Sequence, residues 1–175
     1  MTRPVVGLDP SLAATGIATD AGQSTITTKP ASSLTGQLAR LRVITWSVSV
    51  EVPPGALVVI EGPGFSRMAQ AGHHQLAGLW WQLADLLDAR TCLLLVMSPS
   101  ALKKFATGVG SAKKADLRMA LYKRAGLDVA DDNQVDAWWL RQAGLHLLGD
   151  PAALPLPKDQ LAALGGLRGQ LPPAS

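Results

Sequence analysis

Two apolar segments of this chain each end in a single acidic residue. Residues 3–9 read RPVVGLD and close on Asp9, and residues 56–60 read ALVVI and run directly into Glu61. Short, uninterrupted apolar runs are typical of strands that are covered on both faces of a sheet. An acid that ends such a strand is costly to bury unless it is paired or binds a metal. The two segments therefore predict a covered sheet with carboxylates at one edge, although acids are also common where strands simply reach the surface.

The remaining segments complete a mixed α/β order. Residues 15–19 and 24–28 are short, rich in β-branched residues and separated by Asp20-Ala21-Gly22, which predicts a hairpin following the first strand. Spacing and capping residues predict a first helix that is capped by Ser32, Ser33 or Thr35 and ends at about residue 50. A second helix over 68–89 and a strand over 91–97 follow. The sequence then predicts a short helix after Ser98, a basic helix over 112–125 capped by Ser111, and a last helix over 132–148. This order predicts a mixed five-stranded sheet, three antiparallel strands followed by two parallel ones, with helices on both faces.

Length and composition favour a single soluble domain. The chain has 175 residues, and residues 1–149 contain every predicted element. Residues 150–175 are rich in Pro, Gly, Ala and Leu, which predicts a partly ordered or mobile tail. No apolar stretch reaches the roughly eighteen residues of a membrane span, and no secretory signal pattern is present. Because Cys92 is the single cysteine, an internal disulfide is excluded and a cytoplasmic location is expected.

Basic residues are concentrated between Ser98 and Leu127. The net charge of the whole chain is only +3, which by itself says little about a polyanionic partner. This segment, in contrast, has Asp116 as its one acid and the following bases: Lys103, Lys104, Lys113, Lys114, Arg118, Lys123 and Arg124. We interpret it as a surface that contacts DNA phosphates, the alternative being a solvated helix face.

The last predicted helix opens with a group of acids, in the segment ADDNQVDAWW. Asp132 and Asp136 are four residues apart and lie on one helix face, where like charges repel. Asp131 or Asp132 can cap the helix, but capping does not explain Asp136. Carboxylates on two strand ends and one helix can hold Mg²⁺ or Mn²⁺. A pair of such ions about 3.5–4 Å apart activates water for phosphodiester hydrolysis.

Four segments of the chain, taken together, carry a family resemblance. They are VVGLDPSLAATGIA, VVIEGP, SPSALKKFATGVGSAKK and DDNQVDAWW. In order and spacing they resemble the RuvC-type Holliday junction resolvases of the ribonuclease H-like superfamily, and the short chain looks most like the phage-borne members. The resemblance runs from about residue 5 to residue 148. It implies a ribonuclease H-like fold, a RuvC-like nuclease domain over residues 1–149, and the host cytoplasm as the location of a phage-encoded protein.

The resemblance also implies a set of metal ligands. It assigns Asp9, Glu61 and Asp136 to two Mg²⁺ ions per active site, for which Mn²⁺ can substitute. A fourth acid usually lies one turn before the last of these. Here the i−3 position is Asn133 and the i−4 position is Asp132. We favour Asp132 as the fourth ligand, since Asn133 can offer only a neutral oxygen.

The activity implied by the resemblance is the resolution of four-way DNA junctions. A symmetric homodimer, with one active site per subunit, would make paired nicks that leave 5′-phosphate and 3′-hydroxyl ends. No nucleotide cofactor and no membrane partner are expected. The residues expected to contact DNA are Lys103, Lys104, Lys113, Lys114 and Arg118, together with Phe65, which could stack on a base near the junction.

Other interpretations of the same residues remain open. The protein could cut branched or flapped DNA more generally, or bind junctions without cutting them, with vestigial acids. An actin-like nucleotide hydrolase also begins with a segment like GLDPSLAATG, but it needs a second lobe for which this chain is too short.

The histidines and tryptophans have structural explanations in the sequence. His73 and His74 are adjacent on a predicted helix and point about 100° apart, so they cannot both serve one site. We interpret them as surface or packing residues. The tryptophans occur at helical spacing among leucines, which favours core or dimer contacts: Trp80, Trp81, Trp138 and Trp139.

Overall fold

Five strands form one mixed sheet at the centre of the protein. The computed structural model describes residues 3–63 and 73–172. Its strands are β1 Val5–Asp9, β2 Ala14–Thr19, β3 Gly22–Thr27, β4 Leu57–Glu61 and β5 Leu93–Met97. They lie in the order β3-β2-β1-β4-β5. Neighbours among β1, β2 and β3 run antiparallel, whereas β1, β4 and β5 run parallel, which confirms the predicted fold class.

The first five helices of the described residues follow the predicted order, and the last two lie in the C-terminal region, where the sequence predicted no helix. They are α1 Leu34–Glu51, α2 His73–Ala89, α3 Pro99–Thr107, α4 Lys114–Ala125, α5 Asp132–Leu148, α6 Lys158–Leu161 and α7 Gly165–Arg168. Ser33, one of the three predicted caps of α1, accepts a hydrogen bond from the Gly36 N–H at 3.1 Å. The start predicted for the second helix, Met68, lies outside the described residues. None of the helices within 3–63 and 73–172 combines the length and apolar character needed to cross a membrane.

The start of α4 differs from the sequence prediction. The expected cap, Ser111, and the expected first residue, Ala112, both precede the helix, which has Lys113 at its cap position. Ala112 is buried in the core at this turn, and the Asp116 carboxylate accepts the Lys113 N–H at 2.8 Å. The prediction of Ser111 as the cap is therefore wrong: burial of Ala112 keeps that residue outside the helix, which begins at Lys114, and Asp116 in its first turn bonds the backbone of the cap residue.

Apolar side chains cover both faces of the sheet. Val6 and Ile60 belong to the cluster that packs against α1 and α2, whereas Val5 and Leu57 belong to the cluster that packs against α5. This confirms the prediction of helices on both faces. Because successive side chains of a strand point to opposite faces, the acids that end β1 and β4 lie on the same face as Val5 and Leu57, toward α5.

Two glycines allow α5 to approach the sheet closely. A Cβ built on Gly7 of β1 would come within 1.9 Å of the Ala137 carbonyl oxygen, and one on Gly16 of β2 within 2.1 Å of the Asn133 carbonyl oxygen. Both distances are far below van der Waals contact, so only glycine fits at either position while the helix stays in place. The glycines therefore fix the depth and rotation of the first two turns of α5.

The C-terminal segment packs on the edge of the sheet. Residues 150–172, which belong to the region expected to be partly ordered or mobile, include α6 and α7 and bury Leu164 and Leu167 in the α5-side core. The Gln170 side chain accepts the Val96 N–H at 2.7 Å and donates to the Val96 carbonyl at 2.9 Å. Since β5 is an edge strand, this amide occupies backbone groups that a further strand would use.

Candidate functional site

The acids that end β1 and β4 lie beside one another. The two strands are parallel neighbours with Leu8 opposite Ile60, so Asp9 and Glu61 follow at the next register position. Both acids line one pocket of about 320 Å³ at the carboxyl ends of these strands. Adjacent parallel strands that each end in an acid thus deliver two carboxylates to a single concave site, as the sequence predicts.

Asp136 of α5 lines the same pocket. It is one turn into the helix, directly before Ala137, the residue whose carbonyl lies against Gly7. The close packing of α5 on β1 therefore sets how near this carboxylate comes to the strand ends. The structure brings Asp9, Glu61 and Asp136 to one pocket although they are separated by about fifty and seventy-five residues of chain.

Burial disfavours the charge on Asp136. Desolvation raises the pKa of its carboxyl to about 6 from an ordinary value of 3.8. Lys114 and Lys103 act in the opposite direction, and the neighbouring Asp132 adds to the rise in pKa. The site therefore holds a carboxylate that an additional cation would stabilise in its charged form.

The predicted basic residues divide between the pocket and its surroundings. Lys103 of α3 and Lys114 of α4 line the pocket beside the carboxylates, whereas Lys104 and Lys113 are exposed and are not among its lining residues. Arg118 forms an ion pair with Asp128 at 2.7 Å. Phe65, the predicted base-stacking residue, lies outside the described residues.

The start of α5 separates Asp132 from Asn133. Asp132 is not among the residues that line the pocket, and its carboxylate lies 3.7 Å from the Lys114 ammonium. Asn133 does line the pocket, one turn before Asp136. Its backbone carbonyl is the group that lies against Gly16, so close packing on β2 fixes which of the two side chains faces the strand ends.

One face of α2 forms a wall of the pocket that sequence reasoning did not assign to the site. The residues of α2 that line the pocket have i, i+3, i+4 and i+7 spacing: His73, Leu76, Ala77 and Trp80. The Trp80 Nε1–H donates to the Glu61 carbonyl oxygen at 3.0 Å, which ties this helix to the end of β4. The same helical spacing can be read in the sequence from His73, twelve residues after Glu61, and is the signal that could have identified the wall. His74, on another side of the helix, is exposed.

The donor set of the pocket suits a hard divalent cation in its chemistry. Carboxylate and amide oxygens are the ligands that Mg²⁺ and Mn²⁺ prefer, and the pocket contains Asp9, Glu61, Asp136 and Asn133. Within residues 3–63 and 73–172, however, no three Asp, Glu, His or Cys side chains stand close enough together to hold a metal ion. The donors thus share a pocket without forming a preassembled cage among the described residues.

Comparison with known proteins identifies the fold. No protein-family model and no curated protein matches the chain. Among solved structures, RuvC of Thermus thermophilus matches with a TM-score of 0.61 and 18% sequence identity, over 87% of this chain and 99% of that one. The T. thermophilus RuvC in complex with a Holliday junction substrate matches with a TM-score of 0.64 and 18% identity, over 89% and 100% of the two chains. The chain therefore has the fold of RuvC.

Proposed function

We propose that this protein is a metal-dependent, structure-selective DNA endonuclease that resolves Holliday junctions by paired symmetric nicks. The observation that carries the proposal is the convergence of Asp9, Glu61 and Asp136 on one pocket in a chain with the RuvC fold. One solved structure of that fold holds a Holliday junction substrate. A basic segment borders the same pocket, as a polyanionic substrate requires.

Asp9, Glu61 and Asp136 are the residues that would hold Mg²⁺ or Mn²⁺. When bound, a pair of such ions supplies water activation and stabilises the charge that develops on the leaving oxygen. The raised pKa of Asp136 supports this assignment, because burying a carboxylate without a cation is unfavourable. Since no preassembled cage exists among the described residues, the carboxylates would have to draw together around the ions.

The protein's own residues would position the DNA. Lys103 and Lys114 lie in the pocket wall and would hold the phosphate that is cut, while Lys104, Lys113 and Arg118 would extend the contact along the backbone. Hydrolysis joins a water oxygen to phosphorus and breaks the bond from phosphorus to the 3′-oxygen. The water gives up a proton and the 3′-oxygen gains one, which leaves a 5′-phosphate and a 3′-hydroxyl.

The proposal includes a homodimer. A four-way junction has approximate two-fold symmetry, and two identical sites related by a two-fold axis would cut strands of the same polarity at equivalent positions. Sedimentation of the protein with and without a four-way junction tests this part. A complex with one protein chain per junction would contradict it.

The decisive experiment is cleavage of labelled DNA in the presence of Mg²⁺, Mn²⁺ or EDTA. The panel contains a four-way junction, a flap, a replication fork and a linear duplex of the same sequence. We expect symmetric nicks in the four-way junction that require a divalent metal and that Asp9→Asn abolishes. Equal cutting of flaps and forks would instead identify a general branched-DNA nuclease.

A second candidate is a junction-binding protein without nuclease activity. Asn133 in place of an acid and the lack of a preassembled carboxylate cage in the described residues favour it. The same panel separates the two, because this candidate predicts tight junction binding and intact DNA in both Mg²⁺ and Mn²⁺.

A further inference from the structure

A hydrogen-bond network at the start of α5 links the pocket to β3. The Asp131 carboxylate caps the helix: its Oδ1 atom accepts the Asn133 backbone N–H at 2.9 Å and also the Asn133 side-chain Nδ2 at 2.9 Å. Its Oδ2 atom accepts the Thr25 hydroxyl at 2.6 Å, and the Gln134 side-chain amide donates to that hydroxyl at 3.0 Å. Asp131 is thus held from two sides while it holds Asn133.

The network determines which end of the Asn133 amide is available to the pocket. An asparagine side chain has one oxygen, which accepts, and one NH₂ group, which donates. The NH₂ group is engaged by Asp131, which is not among the pocket-lining residues. No donor within 3–63 and 73–172 makes a hydrogen bond to the Asn133 Oδ1 atom. Since a cation binds only to an accepting atom, the oxygen is the end of the amide that remains for a cation in the pocket.

The position of Asn133 is fixed as firmly as its orientation. Its backbone carbonyl packs against Gly16, and Gly16 is the cross-strand partner of Thr25, the residue that holds Asp131. Asp132, in contrast, is half exposed and is directed to the Lys114 ammonium. One residue of the pair thus faces the strand-ending acids and the other faces a lysine.

We propose that Asp131 is a positioning residue that holds the Asn133 amide with its oxygen toward the pocket, so that Asn133, and not Asp132, is the fourth donor for a divalent cation. This inference rests on the proposed function, since it assumes that the pocket binds such an ion. The sequence favoured Asp132 as the fourth ligand, and the proposal assigns that role to Asn133 instead. It also gives Thr25 a role: the threonine keeps Asp131 in place without touching the pocket.

Calorimetric titration of Mn²⁺ into the DNA-free protein tests the proposal without any measure of activity. Asn133→Leu removes the oxygen at similar size, and Asp131→Ser keeps a good helix cap but is too short to hold the amide. We expect Asp131→Ser to weaken Mn²⁺ binding by about 10–100-fold, the usual effect of losing a group that orients a metal ligand. Asn133→Leu removes the proposed donor itself and should weaken binding at least as much. Asp131→Asn keeps an oxygen at the same place and should restore binding.

Two controls separate orientation from charge and stability. Asp128→Ser makes the same change of charge close to α5, at an exposed acid that pairs with Arg118, and should leave Mn²⁺ affinity unchanged. Asp132→Asn should weaken Mn²⁺ binding much less than Asn133→Leu does. Thermal unfolding of each variant shows that the metal was titrated into folded protein.

Three outcomes would overturn the proposal. If Asp132→Asn weakens Mn²⁺ binding as strongly as Asn133→Leu, Asp132 is the donor. If folded Asp131→Ser binds Mn²⁺ like the unaltered protein, Asp131 does not position the amide. If the unaltered protein neither binds Mn²⁺ nor nicks junctions, the proposed function itself fails, and the fourth donor fails with it.

Discussion

The backbone carbonyl of Ala137 lies so close to Gly7 that a Cβ at this glycine would come within 1.9 Å of it. Helix α5 and strand β1 therefore meet backbone to backbone. Asp136 precedes Ala137, and Asp9 lies two residues after Gly7 on the same face of the strand. Because Gly7 has no side chain, α5 can lie close to β1, and this close packing sets the separation of Asp9 and Asp136.

Replacing Gly7 by alanine should damage both stability and the site. The methyl group would force α5 away from β1, and overpacking of this kind costs about 1–3 kcal/mol of unfolding free energy or more. We expect junction nicking to fall with it, because Asp136 moves with the helix. Urea unfolding and the nicking assay measure the two effects. Gly78→Ala is the matched control, since a Cβ there meets nothing within 4 Å and alanine favours a helix.

Removing the Asp136 carboxylate should stabilise the metal-free protein at neutral and alkaline pH. Because burial raises the pKa of this carboxyl to about 6 from 3.8, the folded state binds its proton more tightly than the unfolded state does. The stability that the group contributes is present below pH 4 and is lost as the pH rises through 6, by up to about 3 kcal/mol. Asp136→Asn stays neutral and should avoid that loss while abolishing nicking.

Urea unfolding in EDTA at pH 5 and pH 8 measures this effect. The unfolding free energy gained by Asp136→Asn should be larger at pH 8 than at pH 5. Asp20→Asn, in the exposed turn between β2 and β3, is the control for loss of an acid and should show no such difference. A variant of Asp136 that is less stable at pH 8 would refute the prediction.

Binding of Mn²⁺ to the DNA-free protein should weaken in mild acid. A proton on Asp136 competes with the ion for the same oxygens, so the apparent affinity should fall about tenfold per pH unit below 6. Above pH 7 this carboxyl is ionised and its contribution to the dependence should level off. Titration calorimetry at pH 5, 6, 7 and 8 tests the prediction. An affinity that does not change between pH 5 and pH 7 would show that Asp136 does not bind the ion.

The lysines of the pocket should contribute to DNA affinity independently of the acids. In an Asp9→Asn background, junction binding should persist, whereas adding Lys103→Ala or Lys114→Ala should weaken it. The plot of log affinity against log salt concentration has a negative slope, and each lost phosphate contact should make that slope shallower by about 1. Lys158→Ala, at the exposed start of α6, is the control and should leave the slope unchanged. If both pocket variants keep the original slope, these lysines do not contact phosphates.

Strand ends could be predicted from the sequence because they depend on local pattern. Apolar runs that stop at Asp9 and Glu61 predicted β1 and β4, and the parallel order placed both acids at one edge of the sheet. The bounds of α5 also agree with the prediction, since Asp131 caps the helix and Gly149 ends it in the left-handed region with a φ of 63°.

Features that depend on packing between distant segments could not be predicted in the same way. Asp132 and Asn133 are adjacent in the sequence, and both lie about one turn before Asp136. Which of them faces the strand ends depends on the rotation of α5, and that rotation is fixed by a contact with Gly16 that no local pattern records. The helical spacing of the α2 wall is readable in the sequence, but its place beside the strand ends is not, because Trp80 is held there by a hydrogen bond to the Glu61 carbonyl.

The amide of Gln170 completes the hydrogen bonding of Val96 on the outermost parallel strand. The Gln170 side chain makes the hydrogen bonds that the backbone of a sixth strand would make at Val96, so an extended peptide from another molecule cannot pair there. Shortening the chain before this residue would leave an open template for strand addition. Self-association of truncated protein would then arise through the sheet margin rather than through its hydrophobic interior.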